Sequence, residues 1–453
     1  MHLNEIKDLL NPPGFNLIHL TNDVYSGLGL ENLIDQYRIL SIDYSPAVDS
    51  LRKSGLEVFS LEKASGINTV PRNTYHLLSH PQTINYLKNI PGEIRLLLFK
   101  SSARINKIAQ AYGWPILAVS PQISRALENK LKFIEMAKRA EVDYPASKII
   151  WVTEHLSYQD LRSQFGDPFV VQIGKGFGGR GTFFVRDESE FHSIRQELSG
   201  KKVKISEYLE GITLTLNACL TSRGAVVSQP FLQVSGVPEC TRHPGASCGN
   251  AWGIDLPDQI ISRILDTAFK IANSIARAGY RGIFGLDFIL HPSSKVYLVE
   301  INPRFTNSIP IFTKLQLMAA EIPLLALHIL EFLKLLPAKG ELPQRVGHIK
   351  SGGQLILHNL EGKICTVGQG FRSGIYRIER EQLKWLKEGC SIEDCGSEDE
   401  FLIITASEGK QINPDIEYAR IQTLGRILDI DLKLKPDLKK MVRQIYAAMK
   451  VES

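Results

Sequence analysis

The residues best suited to chemistry lie in GIFGLDFILHPSSKVYLVEINPRF, residues 282–305. Two apolar runs flank HPSSK, a composition that suits a hairpin turn, so Asp287 and Glu300 fall on opposite arms. The period-2 alternation of a strand places Glu300, Asn302 and Arg304 on one face. Carboxylate and amide oxygens are ligands that Mg²⁺ prefers, particularly beside nucleotide phosphates. Asp287, Glu300 and Asn302 are therefore candidate metal ligands and Arg304 a candidate phosphate or anion ligand; an exposed hairpin with incidental charges is the alternative.

A second candidate is the glycine-rich stretch in VVQIGKGFGGRGTFFV, residues 170–185. Glycines between two apolar runs let a loop fold over a polyphosphate and present backbone N–H groups to it. Lys175 and Arg180 add positive charge where phosphates would lie. The stretch differs from a P-loop because the residues after it favour a strand, and a flexible hairpin loop is the alternative. The glycines are Gly174, Gly176, Gly178, Gly179 and Gly181.

A turn-rich insert, residues 237–253, contains three potential zinc ligands. Cys240, His243 and Cys248 lack a fourth ligand at a suitable spacing, which disfavours a zinc site. Catalytic thiol chemistry is not indicated, because no neighbouring base is evident. Two alternatives stay open: a substrate-facing loop in which Arg242 or His243 meets a carboxylate, and a plain surface loop.

Residues 1–120 alternate short apolar runs with polar, helix-like stretches. This alternation is typical of βαβ units around a parallel sheet. The segment lacks a GxGxxG motif, and its nearest pair, Gly27 and Gly29, either lines a pocket or turns the chain. The expected strands are 15–20, 37–43, 56–61, 94–99 and 115–120.

Residues 121–340 form the second predicted unit and contain both candidate sites. Apolar residues at helical spacing predict one helix over 124–140 and a long amphipathic helix over 257–278. A further helical stretch is expected over 314–336. The expected strands are 147–152, 168–173, 181–185, 202–207, 212–220, 225–234, 283–290 and 295–301.

A segment rich in Pro and Gly, LPAKGELPQRVGHIKSGG, indicates a domain boundary near residue 340. Residues 341–453 are therefore expected to form a separate unit. Its expected strands are 353–359 and 363–369, and its expected helices are 380–388 and 435–450.

Composition excludes several classes of protein. The chain has 453 residues, of which 43% are hydrophobic and 22% charged, close to ordinary soluble usage. The 53 Lys plus Arg against 48 Asp plus Glu leave a formal charge of +5, which gives no case for a nucleic-acid partner. Charges interrupt the most apolar stretch, 309–336, so no membrane span is expected. Six Cys without a CxxC pair and an opening without a signal-peptide pattern predict reduced thiols and a cytoplasmic location.

Together, three separated motifs resemble those of the ATP-grasp superfamily. The glycine-rich stretch, SEYLEG at 206–211, and GLDF followed by VEINPRF occur in the same order and at similar separations. The resemblance covers about residues 120–330. It implies an α/β and α+β fold with a Rossmann-like pre-ATP-grasp domain as in biotin carboxylase-like members (1–120), a two-lobed ATP-grasp domain (121–340) and a β-rich C-terminal subdomain (341–453).

The resemblance also implies a reaction. It makes ATP and Mg²⁺ the expected cofactors, with Mn²⁺ as an alternative cation. In the family, a carboxylate attacks the γ-phosphate to form an acylphosphate, from which an amine displaces phosphate. Such a transfer relies on positioning and on charge stabilisation rather than on covalent help from the enzyme. The implied partners are a small carboxylate and an amine, and homodimers are common among similar proteins.

The resemblance assigns further roles residue by residue. The metal role goes to Asp287, Glu300 and Asn302, and Arg304 would hold phosphate or the acyl intermediate. Lys130 matches the first phosphate-facing lysine. Glu210 is the candidate for the ribose hydroxyls, within a segment that meets adenine and ribose. The residues of that segment are Glu207, Tyr208, Leu209 and Glu210, and those of the phosphate loop include Gly178, Gly179 and Gly181.

Two departures from the family pattern bear on activity. Where the family commonly has a second lysine, in the strand before the glycine loop, this chain has Gln172, an uncharged amide. Lys175, three residues further on, is expected to compensate and to act as a catalytic residue together with Arg304. The segment RFTNSIP, residues 304–310, lacks the acidic residue that biotin carboxylase has shortly after the arginine, which disfavours bicarbonate chemistry.

The predicted function is therefore an ATP-dependent carboxylate–amine ligase. One alternative is a carboxylase-type or phosphoribosyl-type ATP-grasp enzyme. Another is a non-catalytic ATP-binding regulatory protein in which Gln172 marks lost catalysis. The complete set of Asp287, Glu300, Asn302 and Arg304 favours an active enzyme, because a protein that only binds nucleotide does not need it.

Overall fold

The computed structural model describes residues 2–67, 71–174, 176, 181–338, 341–368 and 371–449, together with the backbone of 451–452. Five residues of the predicted phosphate loop, Lys175, Phe177, Gly178, Gly179 and Arg180, lie outside this part of the chain. Within it, no helix combines the length and the apolar character needed to cross a membrane.

A four-stranded parallel sheet forms the N-terminal unit, with the strand order β3-β2-β1-β4. Leu17 and Ile18 of the first strand enter two different hydrophobic clusters, so both faces of the sheet are covered, as parallel sheets require. The strands are β1 Phe15–Thr21, β2 Tyr37–Ser41, β3 Glu57–Ser60 and β4 Glu93–Leu98, and the helices are α1 Leu3–Leu10, α2 Pro46–Lys53, α3 Leu61–Ser65, α4 Thr74–Ser79, α5 Pro81–Lys88 and α6 Ala103–Ala111.

The prediction of a fifth strand at 115–120 is wrong. Ile116 makes a single parallel bridge to Leu96. The backbone then turns, because the Ala118 N–H donates to the Ile116 carbonyl and no ladder can continue.

A four-stranded antiparallel sheet with the order β5-β8-β6-β7 contains the strands on either side of the glycine-rich stretch. Its inner strands pair in the register Gln172 to Lys204, which places these two side chains beside each other. The elements are α7 Pro121–Leu127, α8 Phe133–Arg139, β5 Ser147–Trp151, α9 Tyr158–Phe165, β6 Phe169–Ile173, β7 Thr182–Val185, α10 Glu188–Glu197 and β8 Lys202–Glu207.

The single helix expected over 124–140 is wrong, because it is broken between α7 and α8. The Asn129 side chain accepts the Leu131 N–H at 3.0 Å, an asparagine contact that competes with helical hydrogen bonding. The Lys130 N–H donates to the Gly174 carbonyl instead of to a helical partner. The break therefore holds Lys130 against the start of the glycine-rich stretch.

A 12-stranded sheet forms most of the rest of the molecule, and three short strands of the C-terminal part form a separate sheet. The run expected as one strand over 225–234 forms two strands, since Pro230 has no N–H for a ladder. The helix expected over 314–336 also divides in two, because Ala320 has a φ of 56° and Pro323 follows. The elements up to this point are β9 Ile212–Thr221, β10 Gly224–Ser228, β11 Phe231–Ser235, β12 Ser247–Trp252, α11 Asp258–Arg277, β13 Gly282–Leu290, β14 Val296–Asn302, α12 Ile309–Met318, α13 Leu324–Leu333 and β15 Arg345–Val346.

Most of the C-terminal strands extend the 12-stranded sheet, so residues after 340 are hydrogen-bonded to the unit that precedes them. Strands β12 and β16 form the antiparallel pair that connects the two parts. Because β12 spans residues 247–252, the insert at 237–253 is not turn-rich over its whole length. The elements are β16 Gly352–His358, β17 Cys365–Val367, β18 Gly374–Glu379, β19 Gln382–Lys387, β20 Glu400–Thr405, β21 Gln411–Ile412, β22 Glu417–Thr423, α14 Pro436–Ala448 and β23 Val451–Glu452.

The helix expected over 380–388 is wrong, because this segment is strand β19. Arg380 and Glu381 both have positive φ, 48° and 65°, which is the geometry of a tight hairpin turn. They connect β18 to β19, whose side chains are mostly exposed. The hairpin turn thus decides the structure of a segment whose composition suits a helix.

Lys314 of α12 joins all three parts of the chain. Its buried ammonium contacts Glu31 of the N-terminal unit and lies 2.5 Å from Glu393 of the C-terminal strands. Burial by itself would lower the pKa of Lys314, but the two carboxylates outweigh it and raise the pKa. The charged form is therefore the one that the fold requires.

His328 of α13 is a buried, neutral histidine that connects three segments. Its Nδ1 accepts the Ile283 N–H at 3.0 Å, and its Nε2 donates to the Leu117 carbonyl at 2.8 Å. A protonated ring could not accept from Ile283. Burial lowers the pKa of His328 from 6.5 to about 4.

We expect acid to destabilise the protein through His328. Because its pKa is lower in the folded state, the unfolded chain takes up the proton first, and the free energy of unfolding falls as the pH drops below 6.5. The loss attributable to His328 is about 2–3 kcal/mol by pH 4.5. Denaturant unfolding at pH 7.0 and pH 4.5 measures it, and the His328→Gln variant should show a smaller pH dependence. The exposed His155 is the matched control, since His155→Gln should keep the wild-type pH dependence; an unchanged dependence in His328→Gln would contradict the prediction.

Candidate active site

The predicted hairpin is present and brings its two carboxylates together. Asp287 and Glu300 are direct partners in the pairing of β13 with β14, and the register shifts immediately after Asp287. Burial, followed by the charge of Glu300, raises the pKa of Asp287 to about 6. The Thr215 side chain donates a hydrogen bond to Asp287 and opposes this rise. Two adjacent half-buried carboxylates form a place where a cation would relieve charge repulsion.

Asn302 and Arg304 continue this site beyond the carboxylates. The Asn302 Nδ2 donates to Asp287 Oδ2 at 2.9 Å, and its Oδ1 accepts from Arg304 at 2.9 Å. Arg304 also donates to Glu128 Oε1 at 3.3 Å, and its guanidinium lies 5.1 Å from the centre of the Phe99 ring. The structure thus places Asn302 between the carboxylates and Arg304, with both ends of its amide engaged.

Lys130 reaches the same carboxylates from the break between α7 and α8. Its Nζ lies 2.9 Å from Glu300 Oε2. Sequence reasoning missed its neighbour Glu128, which contacts both Lys100 and Arg304. The sequence signal was obscured because residues 128–132 read as the middle of a helix.

Gln172, at the predicted position of a second lysine, faces a lysine from the adjacent strand. Its Nε2 donates to Thr182 Oγ1 at 3.1 Å, and its Oε1 accepts from Lys204 Nζ at 3.2 Å. Lys204 is 2% exposed. Burial, together with the charge of Lys130, lowers the pKa of Lys204 to about 8, although Glu300 acts in the opposite direction. Sequence reasoning missed Lys204, whose only signal was a lysine alternating with the buried Val203 and Ile205.

The described glycines of the loop lie at this site. Gly176 and Gly181 line a cavity together with Glu128. Gly181 has a φ of 87°, and a Cβ there would lie 2.5 Å from the Ile173 side chain, so a larger residue does not fit. A Cβ at Gly174 would lie 3.1 Å from Asn129. The roles predicted for Lys175, Gly178 and Gly179 concern positions outside the described residues.

The segment predicted to meet adenine and ribose connects the smaller antiparallel sheet to the large one. Glu207 ends β8 and accepts the Ala146 N–H at 2.7 Å. Tyr208 packs its ring edge-on against Phe184 with 5.9 Å between ring centres. Leu209 is half-buried and Glu210 is exposed. The segment thus lies at the junction of the two lobes, with the Glu210 side chain exposed.

A cavity of about 1220 Å³ extends from the glycine loop to the carboxyl ends of the N-terminal strands. Asn22 and Asp23 follow β1, and Lys100 follows β4. Two arginines on its wall, Arg104 and Arg125, have no carboxylate partner among the described residues. Ligands of open α/β sheets bind at this edge, and the unpaired guanidinium groups favour an anion there.

The insert at 237–253 does not face this cavity with its charged residues. Arg242 donates two hydrogen bonds to Asp415 at 2.9 Å, and His243 lies 3.1 Å from the same carboxylate. Arg242 and His243, the two groups that one alternative assigned to a substrate carboxylate, thus contact Asp415, which favours the alternative of a plain surface loop. Across the described residues, no group of three or more His, Cys, Asp or Glu side chains is arranged to hold a metal ion.

The comparison with protein families covers the part of the chain that contains this geometry. The family described as "ATP-grasp domain" matches residues 127–308, from the break before α8 to the end of the hairpin segment. Residues 127–308 are thus similar to an ATP-grasp domain. The predicted resemblance is confirmed.

Relatives in sequence are similar to about half of the chain. The arginine-specific large chain of carbamoyl phosphate synthase from Halalkalibacterium halodurans is 21% identical over 263 residues, 57% of this chain and 24% of that protein. The carbamoyl phosphate synthase large chain of Campylobacter jejuni is 27% identical over 224 residues, 48% of this chain and 19% of that protein. The chain thus spans about a quarter or less of the length of these relatives.

Solved structures resemble nearly the whole chain. Carboxyaminoimidazole ribonucleotide synthase from Aspergillus clavatus, complexed with ATP, has a TM-score of 0.57 at 13% identity and covers 96% of this chain and 100% of its own. Biotin carboxylase from Campylobacter jejuni has a TM-score of 0.60 at 11% identity and covers 90% of this chain and 87% of its own. These likenesses confirm the predicted fold class, a two-lobed ATP-grasp fold in an α/β and α+β chain.

Proposed function

We propose that this protein is an ATP-dependent ligase that joins a small carboxylate to an amine through an acylphosphate and releases ADP and phosphate. The observation that supports it best is the convergence of Asp287, Glu300, Arg304 and Lys130 next to Glu128, which lines the cavity. A protein that only stores nucleotide gains nothing from an arginine held beside both these carboxylates and the cavity. ATP complexes of a similar structure agree with nucleotide use.

In this proposal, different residues bind the phosphates, the adenosine and the metal ion. Lys130 and the loop backbone bind phosphate oxygens, while the segment from Glu207 to Glu210 receives the adenosine. Asp287 and Glu300, with Asn302 beside them, would hold Mg²⁺, which neutralises phosphate charge when bound. Asp287 and Glu300 fit this role because they are adjacent hard-oxygen donors, and the few protein ligands suit a cation that takes further ligands from phosphates.

Arg304 is positioned for the acyl end of the reaction. Its guanidinium is held by Asn302 and Glu128 and lies against Phe99 of the N-terminal unit. It can therefore face both the terminal phosphate and a carboxylate in the cavity, where it would stabilise the negative charge that develops during transfer. Lys175 keeps its predicted catalytic role as a proposal.

The cavity favours an anionic substrate. Arg104 and Arg125 supply two guanidinium groups, and the buried Asn22 Oδ1 has no hydrogen-bond partner among the described residues. Two cations and one free acceptor suit a molecule with a carboxylate or phosphate and an N–H or O–H donor. We therefore propose amino acids and small acids with a second polar group as substrates. The expected homodimer and cytoplasmic location stay predictions.

A carboxylase-type reaction is the second candidate, because solved structures of similar fold include biotin carboxylase and carboxyaminoimidazole ribonucleotide synthase. The segment after Arg304 disfavours bicarbonate chemistry, because residues 305–310, FTNSIP, contain no acidic side chain. Dependence of ADP formation on bicarbonate separates the two candidates.

The test is release of ADP and phosphate from MgATP in the presence of pairs of acids and amines, with mass spectrometry of the products. We expect ADP release only when both members of a productive pair are present, together with a condensed product. Bicarbonate-dependent release would favour the carboxylase. ATP binding without turnover for every pair and for bicarbonate would overturn the ligase proposal in favour of a regulatory protein.

A further inference from the structure

Lys204 is a buried cation without a counter-ion. Within the described part of the chain, its ammonium has no carboxylate oxygen at ion-pair distance, and its one hydrogen bond goes to the neutral Gln172 side chain. By contrast, Lys314 and Lys410 each contact two carboxylates. A buried charge is costly unless it is paired, so the position of Lys204 indicates a site where an anion binds.

The side chain of Lys204 points into the cleft between the two lobes. Val203 and Ile205, its neighbours on β8, pack in the core of the smaller lobe. Because side chains alternate along a strand, Lys204 faces the other way. Its ammonium lies 4.6 Å from the centre of the Phe133 ring, and Phe133 packs in the core of the larger lobe. Lys204 therefore spans the cleft next to the glycine-rich stretch.

The Gln172 side chain is oriented towards Lys204 by a second hydrogen bond. Thr182 accepts from the amide nitrogen of Gln172, so the amide oxygen is turned towards Lys204. The two residues are register partners on β6 and β8. Adjacent strands lie about 4.8 Å apart, a distance that a lysine side chain can cover. A charge on β8 can thus reach the same point as a charge on the neighbouring position of β6.

We propose that Lys204 is the second cation that binds the phosphates of the nucleotide, and that it supplies from β8 the charge that Gln172 does not supply from β6. The inference rests on the proposed nucleotide site and adds to it a residue and a strand. Lys130 and Lys204 then hold the phosphates from two sides, while Gln172 orients Lys204. Gln172 does not mark a lost activity in this arrangement.

The test moves the charge from one strand to the other. We expect Lys204→Gln to weaken ADP binding by about 10- to 100-fold, because it removes a hydrogen bond between charged groups. The double variant Gln172→Lys/Lys204→Gln should bind ADP within about threefold of the wild type, and Lys204→Arg should retain most of the affinity. Isothermal titration with ADP measures all of these without requiring turnover.

Lys202 provides the matched control. It is an exposed lysine of the same strand, with its ammonium 5.9 Å from the centre of the Trp151 ring, and Lys202→Gln should bind ADP like the wild type. Thermal unfolding without ADP shows whether Lys204→Gln is still folded. Because this variant removes an unpaired buried charge, its thermal midpoint should equal or exceed that of the wild type.

Three results would overturn the inference. The first is wild-type ADP affinity in Lys204→Gln. The second is a lower thermal midpoint in Lys204→Gln, which would attribute its weaker ADP binding to unfolding. The third is weak ADP binding by both Lys204→Arg and Gln172→Lys/Lys204→Gln when these variants are folded. Absence of ADP binding by the wild type would be a different result, since it would remove the nucleotide site and the proposed function together.

Discussion

The Glu300→Gln variant should lose ATP-dependent turnover by about 10²- to 10³-fold while keeping its fold. Glu300 lies opposite Asp287 and within 2.9 Å of Lys130, so its charge serves both the expected Mg²⁺ and the phosphate-binding lysine. Glutamine has the same shape without the charge. Losses of this size are typical when one preorganised electrostatic group is removed from an active site. The measurement is the rate of ADP formation as a function of Mg²⁺ concentration, with the substrate pair that the ligase screen identifies.

A surface carboxylate of the same domain serves as the control. Asp266 on α11 pairs only with Lys270 at 2.9 Å on the outside of the helix, and Asp266→Asn should leave the rate unchanged. The Mg²⁺ dependence distinguishes a metal role from a role through Lys130 alone. A variant that keeps the wild-type rate and the wild-type Mg²⁺ dependence would refute the role assigned to Glu300.

The Lys314→Met variant should lose about 2–4 kcal/mol of unfolding free energy, because it leaves the partly buried Glu31 without its cation, while Glu393, whose side chain is 33% exposed, contributes less. The two acids belong to the N-terminal unit and the C-terminal strands, so the whole chain should unfold at a lower denaturant concentration. Equilibrium unfolding followed by fluorescence and by circular dichroism measures the loss, and the two probes should shift together.

Removing the acids as well tests the cause. In the triple variant Glu31→Gln/Lys314→Met/Glu393→Gln, no buried charge is left unpaired, and most of the lost stability should return. Lys270→Met removes a lysine from an exposed pair and should cost less than about 1 kcal/mol. Equal losses in Lys314→Met and Lys270→Met would show that the three-way contact contributes nothing.

Prediction from sequence succeeded where the signal is local. Period-2 alternation and a turn composition identified the hairpin of β13 and β14, and the same alternation placed Asp287 opposite Glu300. It failed where a few backbone contacts override composition. Asn129 breaks a helix that apolar spacing favours, and the positive φ angles of Arg380 and Glu381 turn a helix-like segment into a hairpin.

Lys204 could not be found from sequence for another reason. Its importance depends on the register between β6 and β8, in which Gln172 pairs with Lys204, 32 positions further along the chain and beyond both β7 and α10. Nothing in the residues near Lys204 specifies that Gln172 is its partner. The same holds for Glu128, which gains its role only because the chain leaves the helix after Leu127.

The pairing of β12 with β16 has a consequence for how the chain folds during synthesis. β12 ends at Trp252, and β16 begins about 100 residues later at Gly352. At a translation speed of about 5–20 residues per second, the β16-facing edge of β12 stays unpaired for roughly 5–20 s until β16 is synthesised. During that time it offers unpaired backbone groups to any other nascent strand. The ribosome-bound chain is therefore open to mispairing for seconds after its catalytic hairpin has emerged, and this interval is when a chaperone would protect it most.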